Sequence, residues 1–229
     1  MFLDFQYAYL IFNLFFFLIW MTLFVIRHDL RKKMLIMSCI IAPLGFTQYF
    51  FLDYWHPTYS LGTLFGIVGG EDILWSFFIG GITAVLYEEI FGIRYAKRHE
   101  KNHIYWMAFF SAFGIGAMFV GNIILGINSI YVSIIVSMFV GLFIIAIRHD
   151  LIKDALFSSL LTGGLMFIFY ILFFNIIFKG IVQEWWMLHN LSGISIFKIP
   201  IEELMWVFSW GFVAGPTYEF VSGLRFRKT

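Results

Sequence analysis

The chain has 229 residues, 61% of them hydrophobic and 13% charged, with a formal net charge of +1 and a mean hydropathy of +0.88. Such a composition excludes a soluble globular domain, and the net charge hides an uneven placement of basic residues that signals membrane topology rather than nucleic-acid binding. Cys39 is the single cysteine, so no intrachain disulfide can form.

Seven apolar runs approach the roughly 20 residues that one bilayer crossing needs: about 6–26, 34–52, 72–92, 104–124, 128–147, 155–178 and 201–222. The first does not read as a cleavable signal, because it lacks a basic leader, carries Asp4 and runs too long. The connection after it holds Arg27, Arg31, Lys32 and Lys33. The connection after the third run holds Arg94, Lys97, Arg98 and Lys101, and the one after the fifth holds Arg148 and Lys153. With Arg225, Arg227 and Lys228 at the C-terminus, 13 of the 15 basic residues share one side, leaving only Lys179 and Lys198 opposite. The positive-inside rule then predicts a protein of the cytoplasmic membrane with its N-terminus outside and its C-terminus in the cytoplasm. The longest connections, 53–70 and 179–200, lie outside. The second carries the pair Trp185-Trp186, which suits a segment at headgroup level; a lid over a substrate is the alternative.

The chain also repeats itself. Ile26-Arg27-His28-Asp29-Leu30 returns as Ile147-Arg148-His149-Asp150-Leu151, at an offset of 121. Glu71-Asp72-Ile73-Leu74-Trp75 is echoed by Glu202-Glu203-Leu204-Met205-Trp206 at 131, as are Tyr87-Glu88, Gly92 and Arg94 by Tyr218-Glu219, Gly223 and Arg225. The expected fold is an all-α integral membrane protein of seven transmembrane helices. Residues 1–101 form a first three-helix repeat, 102–127 a linker helix, and 128–229 a second repeat lying parallel to the first.

Charged residues inside apolar runs carry the functional signal. Glu71-Asp72 and Glu202-Glu203 open the third and seventh runs, and Asp53 closes the second on the same side. Acids at helix N-termini meet the helix dipole favourably and need no further role. Two adjacent pairs at equivalent positions, each followed by Trp75 or Trp206, point beyond that to acid–base work. Desolvation disfavours an ionised carboxylate and a neighbouring carboxylate disfavours it further, so one member of such a pair can hold a proton while the other accepts one. Glu88, Glu89 and Glu219 lie 17 residues further on, about 25 Å along a helix, too far to share the site. They read as cytoplasmic ion pairs, with Arg94 and Arg225 six residues beyond Glu88 and Glu219. The Arg-His-Asp triplets read as interface anchors, and His28 with His149 makes only a weak metal site. Gly80-Gly81 and Gly163-Gly164 read as points of close helix approach. The 22% aromatic content fits packing and lipid-facing surface, and equally a cavity that holds a polyene or a carbocation.

Pro200-Ile201-Glu202-Glu203 resembles the P-x-E-[ED] signature of the membrane-integral lycopene cyclases, a family that includes heterodimeric bacterial, fungal and tandem single-chain forms. Asp53-Tyr54-Trp55 resembles the aspartate–aromatic segment of those modules. The first copy reads Gly69-Gly70-Glu71-Asp72, keeping the acids without the proline. The resemblance implies redox-neutral cyclisation of a linear carotenoid end group, started by a proton, with a lipid-soluble polyene as substrate. It implies Glu202 and Glu203 as the acid–base centre, Glu71 and Asp72 completing or mirroring it, Asp53 orienting them, and Trp75 and Trp206 lining the cation site. No nucleotide-binding fingerprint occurs, so no cofactor is expected.

The rival readings are a non-catalytic carotenoid-binding or assembly protein and a 3+1+3 small-solute transporter of the SWEET type. The transporter reading is weakened by the absence of proline from the first run of either repeat. The resemblance places its sharpest demand on Glu202: Glu202→Gln is expected to abolish cyclisation and leave membrane insertion intact, as read by pigment analysis of expressing cells.

Overall fold

Apolar runs of this length offer their backbone amides no water, and the helix is the local solution that pairs them within one segment. The computed structural model describes residues 5–92, 95–96 and 103–226. Helix α1 spans Ala8–Ile26, and α2, Arg31–Ile41, continues in 3-10 winding over Ala42–Asp53. A hairpin of two short strands, β1 (Thr63–Leu64) and β2 (Val68–Gly69), leads into α3 (Gly70–Thr83) and α4 (Leu86–Phe91). After β3 (Tyr95–Ala96) come α5 (Ile104–Met118), α6 (Ser129–Ile147) and α7 (Ile152–Tyr170), the last extended in π winding over Ile171–Ile177. The short α8 (Ile181–Trp185) precedes a second hairpin, β4 (Ser195–Ile196) and β5 (Ile199–Pro200), which leads into α9 (Ile201–Ser222). The final strand, β6 (Arg225–Phe226), pairs antiparallel with β3.

Six helical segments among the described residues are long and apolar enough to cross a membrane: Phe5–Ile26, Arg31–Asp53, Gly70–Phe91, Tyr105–Ile124, Ser129–Ile147 and His149–Ile177. They coincide within a few residues with six of the seven runs read from sequence. The seventh run is α9, a 22-residue helix that carries Glu202, Glu203 and Glu219. Helix α3 packs on α1 and α2, α9 packs on α6 and α7, and α5 lies against α6 and α9.

Glycines set the closest approaches. A Cβ on Gly81 would overlap the Trp20 indole and Ser38, and one on Gly141 would overlap the Phe212 ring. Gly80 faces Ile41 and Gly163 faces Phe208 in the same way, whereas Gly164 faces open space.

At the end of the bundle that holds the Arg-His-Asp triplets, charge ties the helices together. Arg27 forks onto both carboxylate oxygens of Asp29, at 2.9 Å each, and reaches the Glu88 carbonyl and the Glu89 carboxylate. Arg148 does the same with Asp150, at 2.8 Å each, and reaches the carbonyls of Glu219 and Leu224. The triplet arginines are therefore anchors, as expected. Glu88 and Glu219 converge on Lys33, at 2.5 and 2.8 Å, and all three side chains are buried. Lys33 was not singled out by spacing. Arg94 and the Arg225 side chain, paired with these acids on spacing, lie outside the described residues.

A buried ammonium held by two carboxylates costs little while the set is complete, and removing one member leaves charge behind in a dry place. Lys33→Met is accordingly expected to lower unfolding free energy in detergent by about 3–5 kcal/mol. An unchanged denaturation midpoint would show that the cluster does not hold that end together.

Candidate functional site

The chain enters α3 and α9 in one manner. A short hairpin turns back over the helix, and the first turn then places two adjacent acids where free amide hydrogens and the helix dipole receive them. Adjacent helical residues point about 100° apart, so the two acids of each pair diverge.

The first acid of each pair faces its hairpin loop. Glu71 Oε1 accepts hydrogen bonds from the amides of Ser60 (2.6 Å) and Leu61 (2.9 Å). Glu202 Oε1 accepts from the Ser192 amide and the Tyr131 hydroxyl, both at 2.8 Å. The second acid of each pair, Asp72 and Glu203, lines a single cavity of about 320 Å³ between α2, α3, α5, α6 and α9. Asp72 accepts from Tyr9 Oη at 3.0 Å and from the Gly69 amide at 2.9 Å.

Glu203 sits in an aromatic cage. Its Oε1 is met by the Tyr170 hydroxyl, and its Oε2 by the Tyr54 hydroxyl and by Trp186 Nε1 at 3.2 Å. Trp186 Nε1 also donates to Tyr54 Oη at 3.0 Å. Because an indole N–H can only donate, the Tyr54 oxygen is the acceptor there and its own hydrogen points to Glu203. Burial, and then the Glu203 charge, push the Tyr54 phenol well above the usual tyrosine range, so it stays a donor at neutral pH.

Trp75 and Trp206 line the same cavity as Asp72 and Glu203. Asp53 does not. Its carboxylate accepts from the Ser129 amide at 2.9 Å, the Ser129 hydroxyl and Asn122 Nδ2 at 2.8 Å, which fastens the start of α6. Asp53 touches none of the four acids directly; the next residue, Tyr54, reaches Glu203. Trp55 completes this segment by bridging to Trp186 across an antiparallel backbone contact.

The pair Trp185-Trp186, expected on sequence at headgroup level or as a lid, is buried within the protein. The two are 2% and 5% exposed and roof the cavity together with Trp55. The missing proline of the first copy also has a steric reason. A Cβ on Gly69, the position of Pro200, would overlap the ring of Tyr59.

The arrangement is thus that of a helical bundle with membrane-span character enclosing an apolar, aromatic-lined cavity with two carboxyl groups at one end. A short arc of such groups can give and take protons where water is scarce. Residues 128–221 of this chain match the family described as Lycopene cyclase; that span covers α6 to α9 and so includes Glu203, Trp206 and Trp186. Comparison with curated proteins and with solved structures gives no match.

Trp186→Phe keeps the ring and removes the N–H shared by Glu203 and Tyr54. Its expected cost is about 1.5–3 kcal/mol of unfolding free energy, as for hydrogen bonds to charged groups. A denaturant titration in detergent checks this, and an unaltered curve would place the indole N–H outside the cage.

Proposed function

We propose that this protein cyclises the end group of a linear carotenoid within the membrane, by proton-initiated, redox-neutral chemistry. The observation that carries the reading is that Asp72 and Glu203, at equivalent positions 131 residues apart, line one aromatic cavity beside Trp75 and Trp206. The match of residues 128–221 to the lycopene cyclase family supports it.

Asp72 and Glu203 form the acid–base pair. A carboxyl proton adds to the terminal double bond of the end group and leaves a tertiary cation. A second double bond attacks that cation, forming the carbon–carbon bond that closes a six-membered ring. A ring proton then leaves to the carboxylate and restores one double bond. One proton enters and one leaves, and no electrons are exchanged. The faces of Trp75 and Trp206 attract the passing positive charge, and the apolar walls keep water from quenching it. Tyr54, Tyr170 and Trp186 hold Glu203 in place, Glu71 and Glu202 tether the hairpins, and Asp53 positions Tyr54.

The reading extends to architecture. Helix α9 serves as the seventh crossing, with the N-terminus outside and the acids toward the outer face. The two three-helix halves are parallel repeats about an axis along the membrane normal. Supporting this, α2 and α7 begin 121 residues apart and α3 and α9 begin 131 residues apart, and each triplet arginine makes the same fork.

The demand placed on Glu202 from sequence passes to its neighbour. In a bacterium that accumulates lycopene, the wild-type chain is expected to yield cyclic pigments on liquid chromatography. Glu203→Gln should lower that yield by about 10²–10⁴-fold, the usual worth of a positioned proton donor or acceptor. Glu202→Gln should lose less than about tenfold, through its hairpin alone. Equal loss in both variants would put Glu202 back in the mechanism, and unconverted lycopene with verified membrane expression of the wild-type chain would sink the cyclase reading.

A further inference from the structure

The two acids come from two halves, yet they share a single cavity, and the side chains that separate the halves explain why. Residues Phe12 and Phe16 of α1 pack against Phe169 of α7, with ring centroids 5.4 and 4.7 Å apart. Phe15 meets Phe169 at 5.3 Å and Phe12 meets Phe173 at 5.1 Å. This α1–α7 seam is therefore filled by phenyl rings.

At an offset of 121, the counterparts of Phe12, Phe16 and Phe169 are Ser133, Ser137 and Gln48. All three line the cavity, which occupies the seam between α6 and the second half of α2. Rings fill one seam, with Phe12 at the border of the cavity, and small or slender side chains leave the other hollow. Two of the polar groups are turned back onto backbone. Ser133 Oγ donates to the Ile130 carbonyl, and Gln48 Nε2 donates to the Trp55 carbonyl. The hollow thus stays mostly apolar in spite of its composition.

Helix α5 completes the asymmetry. It belongs to neither half, and it walls the hollow seam with Met107, Phe110, Gly114 and Met118. The cavity follows α9 from Glu203 to Thr217, fourteen residues or about 21 Å, with the acids at its outer end. Ile40 and Ile115 line it and are also exposed, 39% and 55%, so it reaches the lipid-facing surface between α2 and α5.

We infer that the chain holds one reaction chamber, in the α2–α6 seam and closed by α5, which takes a single linear polyene lengthwise from the lipid with one end group at Asp72 and Glu203. The specificity for an extended chain rests on Ser133, Ser137 and Gln48 standing where the other seam has phenylalanine. This rests on the proposed function for the identity of the polyene, and on the cavity alone for its place.

The test compares two fillings of the chamber with a matched control on the same helix. Gly114→Phe enters the cavity without strain, since a Cβ there meets nothing nearer than Val136 Cγ1 at 3.8 Å. Ser133→Phe with Ser137→Phe copies the filled seam. Gly116→Phe is the control, because its Cβ meets nothing within 4 Å and it lies outside the cavity lining. Each chain is purified from lycopene-producing cells, and bound lycopene per chain and cyclic product are measured.

The expected result is one lycopene per wild-type chain at saturation. Gly114→Phe and the double variant should lose at least tenfold in both readouts, with Gly116→Phe unchanged. Should the double variant fail to insert, Gly114→Phe decides alone. Wild-type levels of lycopene in the filled variants, or two lycopenes per chain, would overturn the chamber. Binding without cyclisation in the wild-type chain, lost in Gly114→Phe, would keep the chamber and remove the cyclase reading. Cyclisation undiminished by filling would do the reverse, and a wild-type chain that neither binds nor converts lycopene would remove both.

Discussion

A carboxyl group taken out of water must be met by donors or shed its charge, and that requirement organises both ends of this bundle. At the end that holds Lys33 the donors are cations. Lys33 serves Glu88 and Glu219 together, which joins α2, α4 and α9 at one point. At the other end no cation is within reach of Glu71, Asp72, Glu202 or Glu203 among the described contacts, and amides, phenols and an indole take their place. A cation would neutralise a carboxylate for good, whereas a hydroxyl leaves it able to gain and lose a proton. The two ends therefore suit different duties, an ion-paired clamp at one and titratable carboxyl groups at the other.

The outer cage also explains why the loops are as long as they are. Tyr54 reaches Glu203 from the end of the α2 segment and Trp186 reaches it from beyond α8, so one carboxyl group collects partners from both halves of the chain. Neither half could build the site by itself. The same dependence appears in the packing: where Trp20 occupies the space over Gly81, the partner half places Phe212 over Gly141. Bulk is conserved at that contact while its source changes sides. At Phe12, Phe16 and Phe169 against Ser133, Ser137 and Gln48 bulk is not conserved, and the difference is the cavity.

Much of this was legible in sequence because the bilayer constraint is written in runs of apolar residues. The helices begin and end within a few residues of where the runs do, and the triplet arginines are anchors as their position after a run implies. The inner acids were legible as ion-paired groups, though not their partner. Lys33 sits among three consecutive basic residues that read as topology, and nothing in the local sequence distinguishes the one that turns inward. The role of the tryptophan pair stayed open for a related reason. Aromatic rings beside a membrane surface and aromatic rings roofing a pocket have the same composition, and only the fold back of residues 181–190 onto Trp55 separates them.

By itself, then, the amino-acid sequence determined the class, the helices and their spans, and the two acidic pairs at the head of the third and last runs, since each of these is a local property of hydropathy, charge and helix-starting residues. Only the tertiary structure decided which acid of each pair looks into the cavity, because neighbours on a helix diverge by about 100° and the rotation of α3 and α9 is set by what packs around them. It also decided that one seam between the halves is filled and the other hollow, since a phenylalanine and a serine acquire opposite meanings only when the helix that faces them is known.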